Sequence, residues 1–401
     1  MQLKTIKDLG DINGKVVMLR ADLSVPVDEN LKVTNDARIV RTVPTIKALM
    51  DKGAKVVVTS HFGRPKGQRT EKDSLKHIAG DLEKALGKRV VFVDDCIGEK
   101  VAGAVKSMSS DEVLLLENLR FYKEEEAGDE AFASQLVAPV DAYVSDAFST
   151  SHRAHASMVA AAKLKPAVAG LLMEEEVNAL ASSLSNPKRP LMAIAGGAKV
   201  DTKIDLLENL VKKVDYLVVA GCLPHTFLKA SGVDTITDKN SRVELDKVET
   251  AQKIIATAKA NNCTILLPVD LVATKEFKEN APHEVVDLQN LPSSGCLMDI
   301  GPKSIKDIND ALDKCQTLVW NGPLGVFEMK PFDNATNTVA EHAVELTKRG
   351  KLMSVGGGGD TVTALEIAGL ADKFSYISTA GGAFLEWMEG KALPGVEVLK
   401  K

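Results

Sequence analysis

No stretch of about 20 apolar residues in this 401-residue chain is free of charge, so no membrane-spanning helix is expected. The opening residues, MQLKTIKDLGDINGK, lack the apolar core of a secretion signal, and the chain is expected to stay in the cytoplasm. Cysteine is scarce. The five present (Cys96, Cys222, Cys263, Cys296, Cys315) are odd in number and widely spaced, which fits reduced thiols better than a disulfide framework or a zinc site. Internal repeats and low-complexity tracts are absent. A net charge of −5 argues against a nucleic-acid binder. Arginine is also sparse, with eleven in all, yet eight of them fall in the first 153 residues. Because the guanidinium group suits forked hydrogen bonding to carboxylate or phosphate, that bias hints at a small, multiply charged anion.

What remains is ordinary for a folded protein: 45% hydrophobic and 26% charged residues, with 29 Gly and 15 Pro. At about 150 residues per domain, the length suggests two or three domains. Short β-branched runs recur at 15–20, 55–60, 89–93, 112–117, 141–146, 191–196, 216–221, 264–268, 317–321, 351–356 and 374–379. Helical patterns such as 37–52, 75–86, 248–260 and 339–349 lie between many of them. Strands alternating with helices predict parallel sheets covered on both faces. Eleven strands exceed the eight of a single barrel, so the expected fold is α/β with two open, doubly wound parallel sheets. The division falls near 171–188, where Met173, Val177, Leu180 and Leu184 keep helical spacing and Glu174, Glu175 and Glu176 are expected to face outward. This segment reads equally well as a helix linking two lobes or as one more packing helix.

Unusual residues gather where the strands end. The first strand is followed by Arg20-Ala21-Asp22-Leu23-Ser24-Val25-Pro26 and the second by Ser60-His61-Phe62-Gly63-Arg64-Pro65. The fourth is followed by Asn118-Leu119-Arg120, and the fifth by Ser149-Thr150-Ser151-His152-Arg153-Ala154-His155. Ligands of open α/β sheets bind beyond the carboxyl ends of the strands. That rule brings Asp22, Arg38, His61, Arg64, Arg120 and Arg153 to one pocket. His152 and His155 read equally well as structural residues.

The later half carries two glycine loops, each between a strand and a helix start. In Gly196-Gly197-Ala198-Lys199-Val200-Asp201-Thr202-Lys203, the spacing predicts that Lys199 and Lys203 share one face of a first helical turn. In Gly356-Gly357-Gly358-Gly359-Asp360-Thr361, successive amides suit phosphate oxygens, and Asp360 is suited either to hold Mg²⁺ or to cap the helix. Neither loop is a GxxxxGK[ST] or GxGxxG motif. Two phosphate-suited loops in one half and an arginine nest in the other point to a kinase, because phosphoryl transfer needs mainly positioning and charge neutralisation.

The blocks RADLSVP, SHFGRP, LLLENLRF, SHRAHAS, GGAKVDTKI, WNGPLGVFE, GGGGDT and STAGGAFLE stand in this order along the whole chain. In that order they resemble phosphoglycerate kinases. The resemblance implies a monomeric two-lobed enzyme that moves a phosphoryl group between 1,3-bisphosphoglycerate and ADP, giving 3-phosphoglycerate and Mg·ATP. It implies a phosphoglycerate-binding lobe at 1–170, a connecting helix and hinge at 171–188, a nucleotide-binding lobe at 189–389, and a tail from 390 to 401 that returns to the first lobe. Asp22, Leu23, Ser24, Arg38, His61, Phe62, Gly63, Arg64, Arg120 and Arg153 would then bind phosphoglycerate. Lys203, Glu328, Gly357, Gly358, Gly359, Asp360 and Thr361 would bind ATP or ADP, with Asp360 positioning Mg²⁺. Arg38, Lys199 and Lys203 would neutralise the phosphoryl group in flight. Three departures from the family pattern, Ser24 for Asn, Ser149 and Ser151 for Gly and Ala, and Ala380 for Gly, are expected to tune affinity.

Two rivals fare less well. A dinucleotide-binding dehydrogenase requires an acidic residue about 20 positions beyond its glycine loop, at the next strand end, where this chain has Ser378-Thr379-Ala380-Gly381. A non-catalytic anion-binding protein leaves the Lys199/Lys203 pair and the second glycine loop without a role, and with no secretion signal it is not expected in the periplasm.

Overall fold

The computed structural model describes residues 2–378 and 380–401, so the last residue of the expected strand at 374–379 lies outside the described residues. The chain divides into two units: the described residues up to Asn178 together with Ala392–Lys401, and Ala179–Lys391.

The first unit is built on β1 (Val16–Arg20), β2 (Lys55–Thr59), β3 (Arg89–Val93), β4 (Glu112–Leu116), β5 (Ala142–Ser145) and β6 (Ala167–Ala169). They form one sheet in the order β3-β4-β2-β1-β5-β6, every pair parallel. Four of five residues in β1, β2 and β4 are buried, as apolar runs covered on both faces require. The helix Ala37–Met50 buries Ile39, Thr42, Val43, Ile46 and Leu49, a 3–4 spacing that packs one stripe against the strand core and sets Arg38 on its first turn. Parallel pairing puts all carboxyl ends on one side. Because β4, β2, β1 and β5 are adjacent, their four following loops emerge next to one another. β6 is not apparent from the sequence: three small residues between Pro166 and Gly170 carry no pattern.

The second unit carries β7 (Leu191–Gly197), β8 (Tyr216–Gly221), β9 (Thr264–Leu266), β10 (Asp270–Thr274), β11 (His283–Asp287), β12 (Cys296–Ile300), β13 (Thr317–Asn321), β14 (Met353–Gly357) and β15 (Tyr376–Ser378). Six of them make a parallel sheet ordered β15-β14-β13-β7-β8-β9. The other three form an antiparallel sheet, β11-β10-β12, that the sequence does not announce. β11 buries only Val286, so its apolar alternation is too weak to read. The core of this unit runs from Met192 and Ile194 through Leu318 and Trp320 to Val339 and Phe374.

The helix Leu171–Leu180 continues into a π-helical turn, Ala181–Ser185, and the division between units falls within it. Met173, Val177, Leu180 and Leu184 are all buried, as their spacing predicts. Glu176 departs from the outward orientation expected of it. It is 1% exposed because it shares the face of Met173 and Leu180, and Arg41 lies 3.7 Å away to balance its charge. At the other end of the chain, Lys4 N donates to Leu399 O (2.9 Å), and Gly395 N donates to Ser151 O (2.8 Å), so the C-terminal segment returns to the first unit. Among the described residues, no helix is long and apolar enough to cross a membrane.

Candidate active site

In the first unit the four loops bring their polar residues together. Asp22, 7% exposed, accepts from Arg38 Nη1 (3.0 and 3.2 Å to its two oxygens), from Ser24 N (3.1 Å) and from the Ser149 hydroxyl. Arg38 Nη1 also donates to Ser24 O (2.9 Å), and Gly63 N to Ser24 Oγ (3.3 Å). Leu23 N donates to Ser60 Oγ (2.9 Å). Asn118 clamps the second loop, accepting from Phe62 N (3.1 Å) and donating to Phe62 O (2.7 Å), while Arg120 Nη1 donates to Gly63 O (2.9 Å). Arg64 and Arg153 are exposed. Arg120 interacts with Arg64, and His155 with Arg153, so the exposed arginines belong to the same positive neighbourhood.

Burial pushes the His61 ring well below the usual imidazole range; Arg20, Arg120 and Arg38 add to the effect, and Asp22 opposes it. Burial alone would raise the Asp22 carboxyl, but Arg38 and the bonds from Ser149 and Ser24 hold it below the usual carboxylate range. With the imidazole neutral, Arg38 is the cation that matters. Burial likewise lowers His155 to about 4, with Arg120, Arg20 and Arg153 adding. The site therefore presents the guanidinium groups of Arg20, Arg38, Arg64, Arg120 and Arg153 against fewer carboxylates: Asp22 among them, Glu126 3.7 Å from Arg120 Nε, and Glu125 behind Ser157. Its excess charge is positive.

In the second unit, the loops after β7, β13 and β14 wall a cavity of about 730 Å³. Lys203, Glu328, Gly358, Gly359, Asp360 and Thr361 line it. Lys203 Nζ donates to Asn321 Oδ1 (3.0 Å), and Asn321 Nδ2 donates to Gly357 O (2.9 Å), so one asparagine ties the lysine to the glycine loop. Thr361 Oγ1 accepts from Gly322 N (2.6 Å). Burial lowers the Lys203 ammonium, with Glu389 and Asp360 opposing. Gly358 has φ +94°, a conformation that favours glycine, and starts the helix Gly359–Ile367 with its first amides beside the cavity.

Residues 6–391 match the phosphoglycerate kinase family. The chain belongs to that family. It is 55% identical over all 401 residues to the phosphoglycerate kinases of Sinorhizobium medicae and Rhizobium meliloti, covering 100% of each chain. The structure of phosphoglycerate kinase from Coxiella burnetii superposes with a TM-score of 0.89 at 38% identity, covering 99% of this chain and 98% of that one. The corresponding values for the Pyrococcus horikoshii enzyme are 0.81, 30%, 99% and 98%. The reaction of phosphoglycerate kinases, and of this chain, is reversible phosphoryl transfer from 1,3-bisphosphoglycerate to ADP in glycolysis and gluconeogenesis, with ATP and ADP as co-substrates.

Two of the residues expected at the site in the second unit, Lys199 as a catalytic cation and Gly357 as a nucleotide contact, stand apart from the cavity. Lys199 is exposed, precedes the 3₁₀ turn Asp201–Lys203 and the helix Ile204–Leu210, and is not among the cavity-lining residues. The helix starts too late for Lys199 and Lys203 to share its first turn. Gly357 is buried and does not line the cavity; a Cβ there would lie 2.7 Å from the Phe384 ring, so packing accounts for the glycine. Sequence reasoning missed Arg20, wholly buried behind His61, Ser157, which holds it, and Glu125, which holds Ser157. It also missed Asn321 and the buried His225 at the cavity wall. Asn321 stands in WNGPLGVFE, the block that supplied Glu328, so only its neighbourhood was visible. Ser149, expected from the resemblance to be a departure, donates its hydroxyl to Asp22.

Proposed function

We propose that the first unit binds 3-phosphoglycerate or 1,3-bisphosphoglycerate through Asp22, Leu23, Ser24, Arg38, His61, Phe62, Gly63, Arg64, Arg120 and Arg153, and that the second binds ADP or ATP through Lys203, Glu328 and the Gly358–Thr361 loop. The observation that carries this reading is the set of guanidinium groups around a neutral His61, with Asp22 as their ionised counter-charge. Carboxylate and phosphate match guanidinium forks. Arg38, Lys199 and Lys203 are read as the cations that neutralise the transferring group. Lys199 then has to reach it from an exposed loop. The nucleophile is a β-phosphate oxygen of ADP or, in reverse, a carboxylate. Both are ionised near neutral pH, so no general base is required. Each cation aimed at the developing charge contributes about 2–4 kcal/mol in a site closed to water. Direct transfer needs the two ligands to meet, so the reading includes closure about the 171–188 helix before in-line transfer, which also protects the acyl phosphate from hydrolysis.

The Asp360 carboxylate, exposed beside Lys203 and the Gly358–Gly359 amides, fits Mg²⁺ held mostly by phosphate oxygens and water. Among the described residues no cluster of His, Cys, Asp and Glu would hold a metal by itself. When bound, Mg²⁺ would neutralise phosphate charge, and Asp360 would orient it. We further read the chain as a cytoplasmic monomer; the five thiols, all free, suit a reducing compartment.

Mixing the protein with Mg·ATP and 3-phosphoglycerate should release ADP only when the acid is present, and excess EDTA should stop it. Release that ignores the acid would overturn the substrate assignment. Turnover in EDTA would remove the role given to Asp360. Sedimentation at micromolar protein checks the monomer.

A further inference from the structure

We propose that Arg20 is a positioning residue that fixes the tautomer of His61, so that the neutral ring presents its Nε2–H to an anionic oxygen of the ligand. The inference rests on the reading that the first unit binds phosphoglycerate, and states how one of its oxygens is recognised.

Arg20 Nη2 lies 3.2 Å from His61 Nδ1. A guanidinium has five donors and no acceptor, so the ring nitrogen facing it must carry the lone pair. The imidazole proton is then on Nε2. Arg20 has no freedom to yield. It is 0% exposed, its Nε donates to Ser157 Oγ (2.9 Å), and its Nη1 donates to Ala21 O (2.5 Å). Ser157 Oγ donates its own proton to Glu125 Oε1 (2.6 Å), while Ser157 N donates to Glu125 Oε2 (2.8 Å). Glu125 is also wholly buried. Each hydrogen-bond direction in the series Glu125–Ser157–Arg20–His61 is thus dictated by the donors available, and the buried carboxylate balances the buried guanidinium through one hydroxyl.

A second proton on the ring would have to sit on Nδ1, against Arg20. The charged groups that act most on the ring are Arg20, Arg38 and Arg120, with Asp22 opposing them; Glu126, 3.7 Å from Arg120, and Glu125, behind Ser157, stand on the far side of those arginines. Burial and the three cations hold the ring neutral, so its donor does not vary through the ordinary histidine range. In a pocket already rich in cations, His61 contributes direction to ligand binding, without charge.

The test uses the full chain, ¹⁵N-labelled at histidine and free of ligand, followed by two-bond ¹⁵N–¹H correlation from pH 5.5 to 8.5, with His61 assigned by its loss in His61→Asn. Nδ1 should appear as the unprotonated nitrogen and Nε2 as the protonated one across the range. Protonated Nδ1, an averaged pair, or titration near pH 6.5 would overturn the proposal. In Arg20→Lys, which keeps the charge and loses the fork, the two nitrogens should average. The KM for 3-phosphoglycerate should then rise about tenfold or more and vary between pH 5.5 and 7.5, with the KM for ADP within twofold. A wild-type His61 spectrum in folded Arg20→Lys would overturn it. If that variant does not fold, Ser157→Ala, read in the same way, takes its place. Adding 3-phosphoglycerate to the wild-type protein should shift the Nε2 resonance. An unmoved Nε2 in a protein that turns over 3-phosphoglycerate would overturn the contact between His61 and the ligand, whereas an unmoved Nε2 together with ADP release that ignores the acid would refute phosphoglycerate binding at this unit.

Discussion

Replacing Lys203 with methionine isolates one positive charge. The side chain is half-buried, and its Cγ and Cε lie 3.3 Å from where a Cβ on Gly197 would stand, so the stem covers that glycine. Methionine is unbranched and keeps this packing. Asn321 loses the ammonium at 3.0 Å but retains its bond to Gly357 O, so the glycine loop stays tied to β13. Burial already disfavours the ammonium, so its removal should change folding stability by less than about 1 kcal/mol, or roughly 2–4 °C in melting temperature for a unit of this size. Catalysis is different, because the cation acts on charge that develops in a site with few competing dipoles. Loss of one such stabilising group costs about 10²–10³ in kcat, about 2.7–4 kcal/mol. Steady-state assays of Lys203→Met in both directions, paired with thermal unfolding, measure the two effects separately. A kcat within about threefold of wild type, or a kcat loss accompanied by a melting-temperature drop above about 10 °C, would refute the reasoning.

Arg38→Ala should lower kcat and weaken phosphoglycerate binding. Arg69→Ala should do neither, since Arg69 is 54% exposed and bonds to Asp94 O; equal losses would break up the proposed pocket. Burial lowers His225 to about 4, so its neutral form favours the folded state fully above the unfolded value near 6.5, and this contribution is lost as pH falls from 6.5 towards 4. His225→Phe should therefore retain about 2 kcal/mol more of its neutral-pH stability at pH 5, at about 1.4 kcal/mol per pH unit, and parallel urea midpoints for both proteins would contradict this. Gly322→Ala introduces a Cβ 2.5 Å from the Gly196 backbone at φ +101°; it should cost at least 3 kcal/mol, and an unchanged melting temperature would show that the β7–β13 approach is looser than described.

Local pattern in the chain determined the parallel α/β fold, the four loops after β1, β2, β4 and β5, and the glycine loops of the second unit. Each of these rests on residues within a few positions of one another. Apolar β-branched runs make buried strands, and a strand that ends in polar residues delivers them to the ligand side of the sheet. Spacing rules also require that the element assumed is the one that forms. The i, i+4 argument for Lys199 and Lys203 fails because the chain makes a 3₁₀ turn at 201–203 before the helix begins. A glycine in a row of four cannot declare whether it faces a cavity, as Gly358 does, or the Phe384 ring, as Gly357 does.

Buried charge was decided by tertiary structure alone. Glu176 lies inward because Arg41 reaches it from another helix, and Arg20 is sealed behind His61 because Ser157 reaches it from 137 residues away. A charge leaves water only where a partner is brought to it. That partner is supplied by distant chain, so no window of sequence contains both halves of the interaction.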